Sequence, residues 1–172
     1  MKDLSLHVLE LAENAVRAGA TRLLLEMRTD KADVSLVFSD DGRGMSPDLC
    51  ARAADEGVTT REKARAGQGL YLFRRAAKAF SIESRQGAGT RISARFEGVP
   101  LGDLPATVAA ALAETERGET AELSLVYEGE KGSFRFDSRE FFAKEGRTPR
   151  ALLRVRTYLE QKFKEINGGI SQ

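Results

Sequence analysis

The chain is poor in the residues that fix a protein by covalent or cluster chemistry. Its 172 residues include one cysteine, Cys50, and one histidine, His7. A single cysteine excludes an internal disulfide, and no iron–sulfur ligand set is present. Cys50 lies in a helix-like run and reads as a small buried filler. No apolar run approaches the roughly 18 residues of a membrane span. The opening Met1-Lys2-Asp3-Leu4 lacks the apolar core of a secretory leader, so a cytoplasmic protein that does not enter the membrane is the expectation. Charge of one sign is missing too: 27 basic residues face 26 acidic ones. That balance gives no bulk attraction to nucleic acid or to an acidic membrane surface. Repeats and low-complexity tracts are absent. What is present is 41% hydrophobic residues, enough for a core of one domain, alone or with an appendage.

Periodicity places the elements. Leu4, Val8, Leu11, Ala12 and Ala15 fall in one stripe of a helix over residues 3–18, with Gly19 ending it. Glu10 and Asn14 lie on the flank of that stripe, beside His7 and Arg17. Two strand-like runs follow, Thr21–Thr29 and Val34–Phe38, joined by a polar turn. Ser46-Pro47-Asp48 starts a helix that fades by Gly57. Residues 58–67 are polar and basic and read as a loop. Gly67-Gln68-Gly69 opens a helix from Leu70 to about Ala79, and strands Ser81–Arg85 and Arg91–Phe96 flank a tight turn at Gly87-Ala88-Gly89. This order predicts an α+β fold, a two-layer sandwich of antiparallel strands with helices on one face. Gly98-Val99-Pro100-Leu101-Gly102 marks a boundary between a first domain, 1–97, and a C-terminal appendage, 98–172. The appendage reads as a helix Pro105–Arg117, a hairpin (Glu122–Tyr127, Ser133–Asp137), a short helix near Ser138–Lys144 and a long helix Pro149–Ile166. Leu152, Val155, Leu159, Phe163 and Ile166 stripe that last helix, facing either the hairpin or a partner.

Four short motifs carry chemistry. Glu10 and Asn14 sit one helical turn apart on the same side. An Asn carbonyl oxygen suits Mg²⁺, which prefers oxygen ligands, and a nearby Glu can accept a proton from a water aimed at a phosphoryl group. Two exposed helix polars would show the same spacing. In Asp40-Asp41-Gly42-Arg43-Gly44 the glycines let a flat base approach the main chain, and a buried Asp40 would select adenine through its exocyclic amine. Gly67-Gln68-Gly69-Leu70 runs a glycine loop into a helix N-terminus, where free N–H groups can cradle phosphates. It is not a P-loop, and no strand leads into it as in a dinucleotide fingerprint. Gly89-Thr90 offers a hydroxyl near the base.

In this order, the four pieces resemble the GHKL ATPase superfamily, which includes DNA gyrase, the heat-shock chaperone ATPase, histidine kinases and the mismatch-repair ATPase. Glu10 to Arg22 looks most like the first motif of the mismatch-repair branch. Asp40–Met45, Gly67–Leu70 and Gly89-Thr90 match the later motifs, and the resemblance covers about residues 3–96. It implies a Bergerat-type ATP-binding fold with ATP and Mg²⁺ as cofactors. It implies that Asn14 ligands Mg²⁺ and that Glu10 orients or deprotonates the attacking water. Asp40 would hold the adenine amine, Gly42 and Gly44 would admit the base, and Met45 would pack on it. Gly67 and Gly69 would hinge a lid and present N–H groups to phosphates, with Leu70 following. Thr90 would support Asp40, and Lys63 and Arg65 would reach phosphates from the lid.

The chain departs from that pattern in three ways. The second domain that supplies a catalytic lysine in the gyrase and mismatch-repair branches is missing, so slow hydrolysis is expected. The Met45–Gly67 lid is short, closer to the kinase branch. The phosphoacceptor helix of histidine kinases is missing too, and His7 sits inside the first motif helix. The expectation is a stand-alone, histidine-kinase-like ATP-binding protein with a regulatory role. Three activities compete for it: an ATP-dependent switch with slow hydrolysis, a protein kinase of the anti-sigma or histidine-kinase type, and a non-hydrolysing ATP sensor. Its expected partners are ATP and a protein bound through the lid or the C-terminal region, with a homodimer as another option. The opening residues 1–7 and the C-terminal region are also similar to small ATP-binding proteins encoded beside iron-only hydrogenase subunits in anaerobic bacteria, which implies a regulatory or assembly role.

Overall fold

The computed structural model describes residues 3–58, 69–115 and 121–167. In chain order the elements are α1 (Leu4–Arg17), β1 (Arg22–Asp30), β2 (Asp33–Asp40), α2 (Pro47–Arg52), α3 (Gly69–Ala76), β3 (Ala79–Ser84), β4 (Thr90–Glu97), α4 (Leu104–Thr115), β5 (Glu122–Gly129), β6 (Gly132–Asp137), α5 (Ser138–Glu145) and α6 (Pro149–Asn167). Each matches an expected element to within a few residues, except that α2 stops at Arg52, short of Gly57.

Local chemistry explains the ends that matter for the site. Asp3 caps α1, its carboxylate accepting from Leu6 N at 3.3 Å. At the other end Gly19 takes φ +77° and donates to Val16 O, while Ala20 N donates to Ala15 O. This left-handed exit turns the chain straight into β1. Ser46 caps α2, with Pro47 at its first position.

The six strands form one sheet in the order β3-β4-β2-β1-β5-β6. All pairs are antiparallel except β1 with β5, which run parallel from Arg22↔Glu122 to Arg28↔Glu128. The residues from 98 onward therefore extend the sheet built by the first half of the chain. Register draws apolar residues into rows that cross the whole sheet. One row runs Ile82, Ile92, Phe38, Leu25, Leu125, Phe136, and the next runs Phe80, Ala94, Leu36, Met27, Tyr127, Phe134. The helices cover this face: α1 and α6 both pack on α4, and α3 packs on α1. Leu4, Val8 and Leu11 of α1 are buried with Leu104, Val108 and Leu112 of α4 and Val155 and Leu159 of α6. Each such side chain contributes roughly 1.5–3 kcal/mol by leaving water.

The stripe on α6 is buried by this arrangement. Phe163 stacks edge-on against Tyr127 at 4.5 Å and Phe134 at 5.1 Å between ring centroids. On the opposite face the strands present Glu26, Ser35, Val37, Ser39, Arg91, Ser93 and Arg95, with ion pairs such as Arg95–Asp33 at 2.7 Å. Exposed pairs of this kind add little stability, but they keep the uncovered face hydrophilic. Cys50 is half-buried, its sulfur 4.0 Å from Ile82 O, and is not the fully buried filler expected. Among the described residues, no helix is long and apolar enough to cross a membrane.

Candidate nucleotide site

The site forms where the C-terminal half of α1 meets the end of β2 and the β3–β4 turn. Register places Asp40 opposite Leu23 on one side and Thr90 on the other. Leu23 is a core residue, so strand alternation turns Asp40 toward the helix-covered face and Asp41 away from it.

Asp41 is an anchor. Its carboxylate accepts from Thr21 N at 2.7 Å, Thr21 Oγ1 at 2.7 Å, Arg22 N at 2.8 Å and Arg22 Nε at 3.3 Å. Partial burial opposes its ionisation, but the hydrogen bonds from Arg22 and Thr21 outweigh that and hold the carboxyl at about 2. Asp40 is the reverse case. Burial raises its pKa and the neighbouring Asp41 charge adds to the rise, while the Gly42 and Thr90 N–H groups work the other way. Gly42 N donates to Asp40 Oδ1 at 2.9 Å.

The glycine turn is held on both sides. Arg43 N donates to Ala18 O at 2.9 Å, and Gly87 N donates to Arg43 O at 2.7 Å. The backbones are close enough that two of the glycines have no room for a side chain. A Cβ at Gly44 would lie 2.7 Å from Arg85 C, and one at Gly89 would lie 2.8 Å from Asp40 C. Both residues also have positive φ, +63° and +82°. Gly42, buried beside Ala18, has a β-carbon position 2.9 Å from Asp40 Oδ1. Ser84 joins the pieces: its hydroxyl accepts from Met45 N, bonds Gly89 O and meets Thr90 Oγ1, each at 2.9 Å.

On α1, Glu10 is half-buried and Asn14 exposed. Gly69, the first residue of α3, abuts Glu10, and a Cβ there would lie 2.7 Å from the Glu10 carboxyl carbon. Asn14 Oδ1 accepts from Arg17 Nη2 at 2.7 Å. Leu70 packs against the core from the start of α3. Glu10, Asn14, Asp40, Gly42, Gly44, Met45, Gly69, Leu70 and Thr90 thus lie on adjoining elements around one end of the sheet. Lys63, Arg65 and Gly67 lie outside the described residues.

Sequence reasoning missed Ser84, the anchoring role of Asp41 and the contact of Arg17 with Asn14. Only Arg17 left a trace, through its i,i+3 spacing from Asn14. A shallow depression of about 410 Å³ opens on the uncovered sheet face among Leu24, Ser39, Ser124 and Arg135 and reaches Asp40 and Asp41. It opens mainly on the side of the sheet away from α1 and meets the candidate site at Asp40.

The chain matches the family of histidine kinase-, DNA gyrase B- and HSP90-like ATPases over residues 2–100, and it belongs to that family. No curated protein matches it. Among solved structures it is similar to the N-terminal domain of a DNA repair protein, with TM-score 0.57 and 16% identity, covering 80% of this chain and 52% of that one. The chain thus spans about half the length of that structure. It is also similar to the Aquifex aeolicus MutL ATPase domain complexed with ADP, with TM-score 0.51 and 14% identity, covering 92% of this chain and 70% of that one. These likenesses show the fold.

Proposed function

We propose that this protein is a regulatory Mg²⁺-ATP-binding module of the cytoplasm, in which nucleotide occupancy changes how it binds a protein partner and slow hydrolysis resets it. The observation that best supports this reading is Asp40. A carboxylate half-buried at the end of β2, with one oxygen held by Gly42 N, keeps acceptor capacity for an adenine amino group. The glycines at 42, 44 and 89 let the turn pack tightly against the Arg85, Asp40 and Ala18 segments, which fixes that carboxylate at the edge of the site. Thr90, Ser84 and Met45 complete that wall.

The donor set fits Mg²⁺ in the way this ion is commonly held. It takes few protein oxygens and keeps waters and substrate phosphates. Among the described residues no group of three His, Cys, Asp or Glu side chains converges on one point. Asn14 Oδ1, which Arg17 now holds, would be the protein oxygen offered to a phosphate-bound ion. The ion would neutralise phosphate charge. Glu10, one turn earlier, would accept a proton from the attacking water, and the Gly69 N-terminus of α3 would offer N–H groups to phosphate. Gly67 and Lys63, outside the described residues, are proposed from the family resemblance alone to contact phosphate. Residues 1–97 would serve as the nucleotide unit and residues 98–172 as the unit that reaches a partner or a second copy.

The test is incubation of pure protein with Mg²⁺ and γ-labelled ATP, with and without cell extract. Released phosphate that vanishes in Glu10→Ala supports the switch. Label on a partner protein would establish a kinase instead. Tight binding with neither result would leave a non-hydrolysing sensor.

A further inference from the structure

His7 is 3% exposed, and its Nδ1 has no hydrogen-bond partner among the described residues. Its ring meets Phe73 of α3 in a T-shaped contact, centroids 5.3 Å apart and planes 78° apart. Phe73 is itself locked between Phe80 and Phe96, at 6.1 and 5.1 Å. One turn further along α1, Glu10 abuts Gly69, one turn back along α3. His7 with Phe73 and Glu10 with Gly69 are therefore two successive rungs between helices that run antiparallel at this point. The aromatic rung cannot shift without moving the other.

We propose that His7 is a positioning residue for the nucleotide site: its buried ring, seated on Phe73, sets the spacing of α1 and α3 and so the approach of the Gly69 backbone to the Glu10 carboxylate. This role rests on the ATP-site reading above. It also carries a condition. Burial holds the imidazole below its ordinary pKa, although Asp3 pulls the other way. On α1 itself Asp3 and, one turn on, the half-buried Glu10 carry carboxylates, while the charged groups of the neighbouring helices have other partners. Arg74 of α3 pairs with Asp55, Arg75 lies over the Tyr71 ring, and Asp103 before α4 pairs with Arg156. Phe80 and Phe96 of β3 and β4 are apolar. An imidazolium needs acceptors or water for both nitrogens, so charging His7 forces the two helices apart.

The experiment compares Mg²⁺-ATP affinity from about pH 8 to about pH 5.5 for wild type, His7→Gln and His7→Phe, with melting curves to keep to conditions where each is folded. The terminal phosphate of ATP titrates near 6 in every sample, so the reading is the difference between proteins. Wild type is expected to lose about three- to tenfold more affinity on acidification than either variant. Parallel profiles overturn the proposal. The same samples, without nucleotide, are followed by NMR. The Phe73 ring signals are expected to shift with the His7 titration. Phe73 signals that ignore it overturn the spacing role whether or not ATP binds, which separates this failure from failure of the ATP reading.

Discussion

Asp40 and Asp41, consecutive at the end of β2, titrate in opposite directions because alternation sends them to opposite faces. Asp41 gains four hydrogen bonds from Thr21 and Arg22, whereas Asp40 is half-buried with only backbone N–H groups, those of Gly42 and Thr90, to offset its desolvation.

Asp40→Asn is expected to weaken adenine recognition while stabilising the empty protein. In the fold Asn Oδ1 would keep the Gly42 N–H, leaving an NH₂ facing the adenine amine, donor against donor. The lost hydrogen bond to a charged group is worth about 1.5–3 kcal/mol, roughly ten- to a hundredfold in Kd. A carboxyl with a raised folded pKa contributes stability below its unfolded pKa and loses it as pH rises through the folded value. At neutral pH the ionised form is thus a cost, and the variant should melt at or above the wild-type temperature. Titration calorimetry and melting curves check both halves.

Asp41→Asn should behave inversely. A carboxyl depressed to about 2 contributes stability above its unfolded pKa of 3.8, and this is lost as pH falls through 2. The group is partly exposed, so a loss of about 1 kcal/mol at neutral pH is expected, a few degrees of melting temperature. The gap between variant and wild type should close as the pH approaches 2.

Gly69→Ala places a methyl against the Glu10 carboxylate. The atoms the methyl meets belong to the far end of the flexible Glu10 side chain, which can move aside, so a folded protein is expected. If Glu10 is the base, as proposed, turnover of γ-labelled ATP should fall more than tenfold with ATP affinity changed much less, because the methyl displaces its carboxylate and leaves the Asp40 side of the site untouched. Equal losses in both would place Gly69 in binding alone.

Arg17→Ala removes the guanidinium that holds Asn14 Oδ1. The Mg²⁺ concentration needed for half-maximal ATP binding should drop severalfold, measured by titrating the metal at fixed nucleotide. A rise instead would assign Arg17 to the phosphates.

Much of this was legible in the sequence, for a physical reason: the elements are written in local patterns. The alternation of Arg22–Asp30, the Ser46-Pro47-Asp48 start and the Gly19 exit each act within a few residues, and each appears where expected. The family and the position of its motifs were legible because glycine is demanded where backbones touch, as at Gly44 and Gly89. What stayed hidden depends on distant pairing. Nothing in Glu122–Gly129 announces a parallel partner in β1, and Ser84 looks like any strand serine until Met45, Gly89 and Thr90 converge on it. Arg17 reads as a solvated charge until its geometry shows it on Asn14.

The parallel seam between β1 and β5 also governs the order of assembly. Leu23 pairs with Leu123, so 100 residues of chain must be made before β1 gains its second neighbour. Contacts of such long sequence separation slow folding. Until the hairpin emerges from the ribosome, β1 is an exposed edge with a row of unpaired amides beside a formed nucleotide turn, the kind of surface that invites mispairing between nascent chains. The residues of the candidate site, the last of them Thr90, are thus all synthesised well before the sheet is complete.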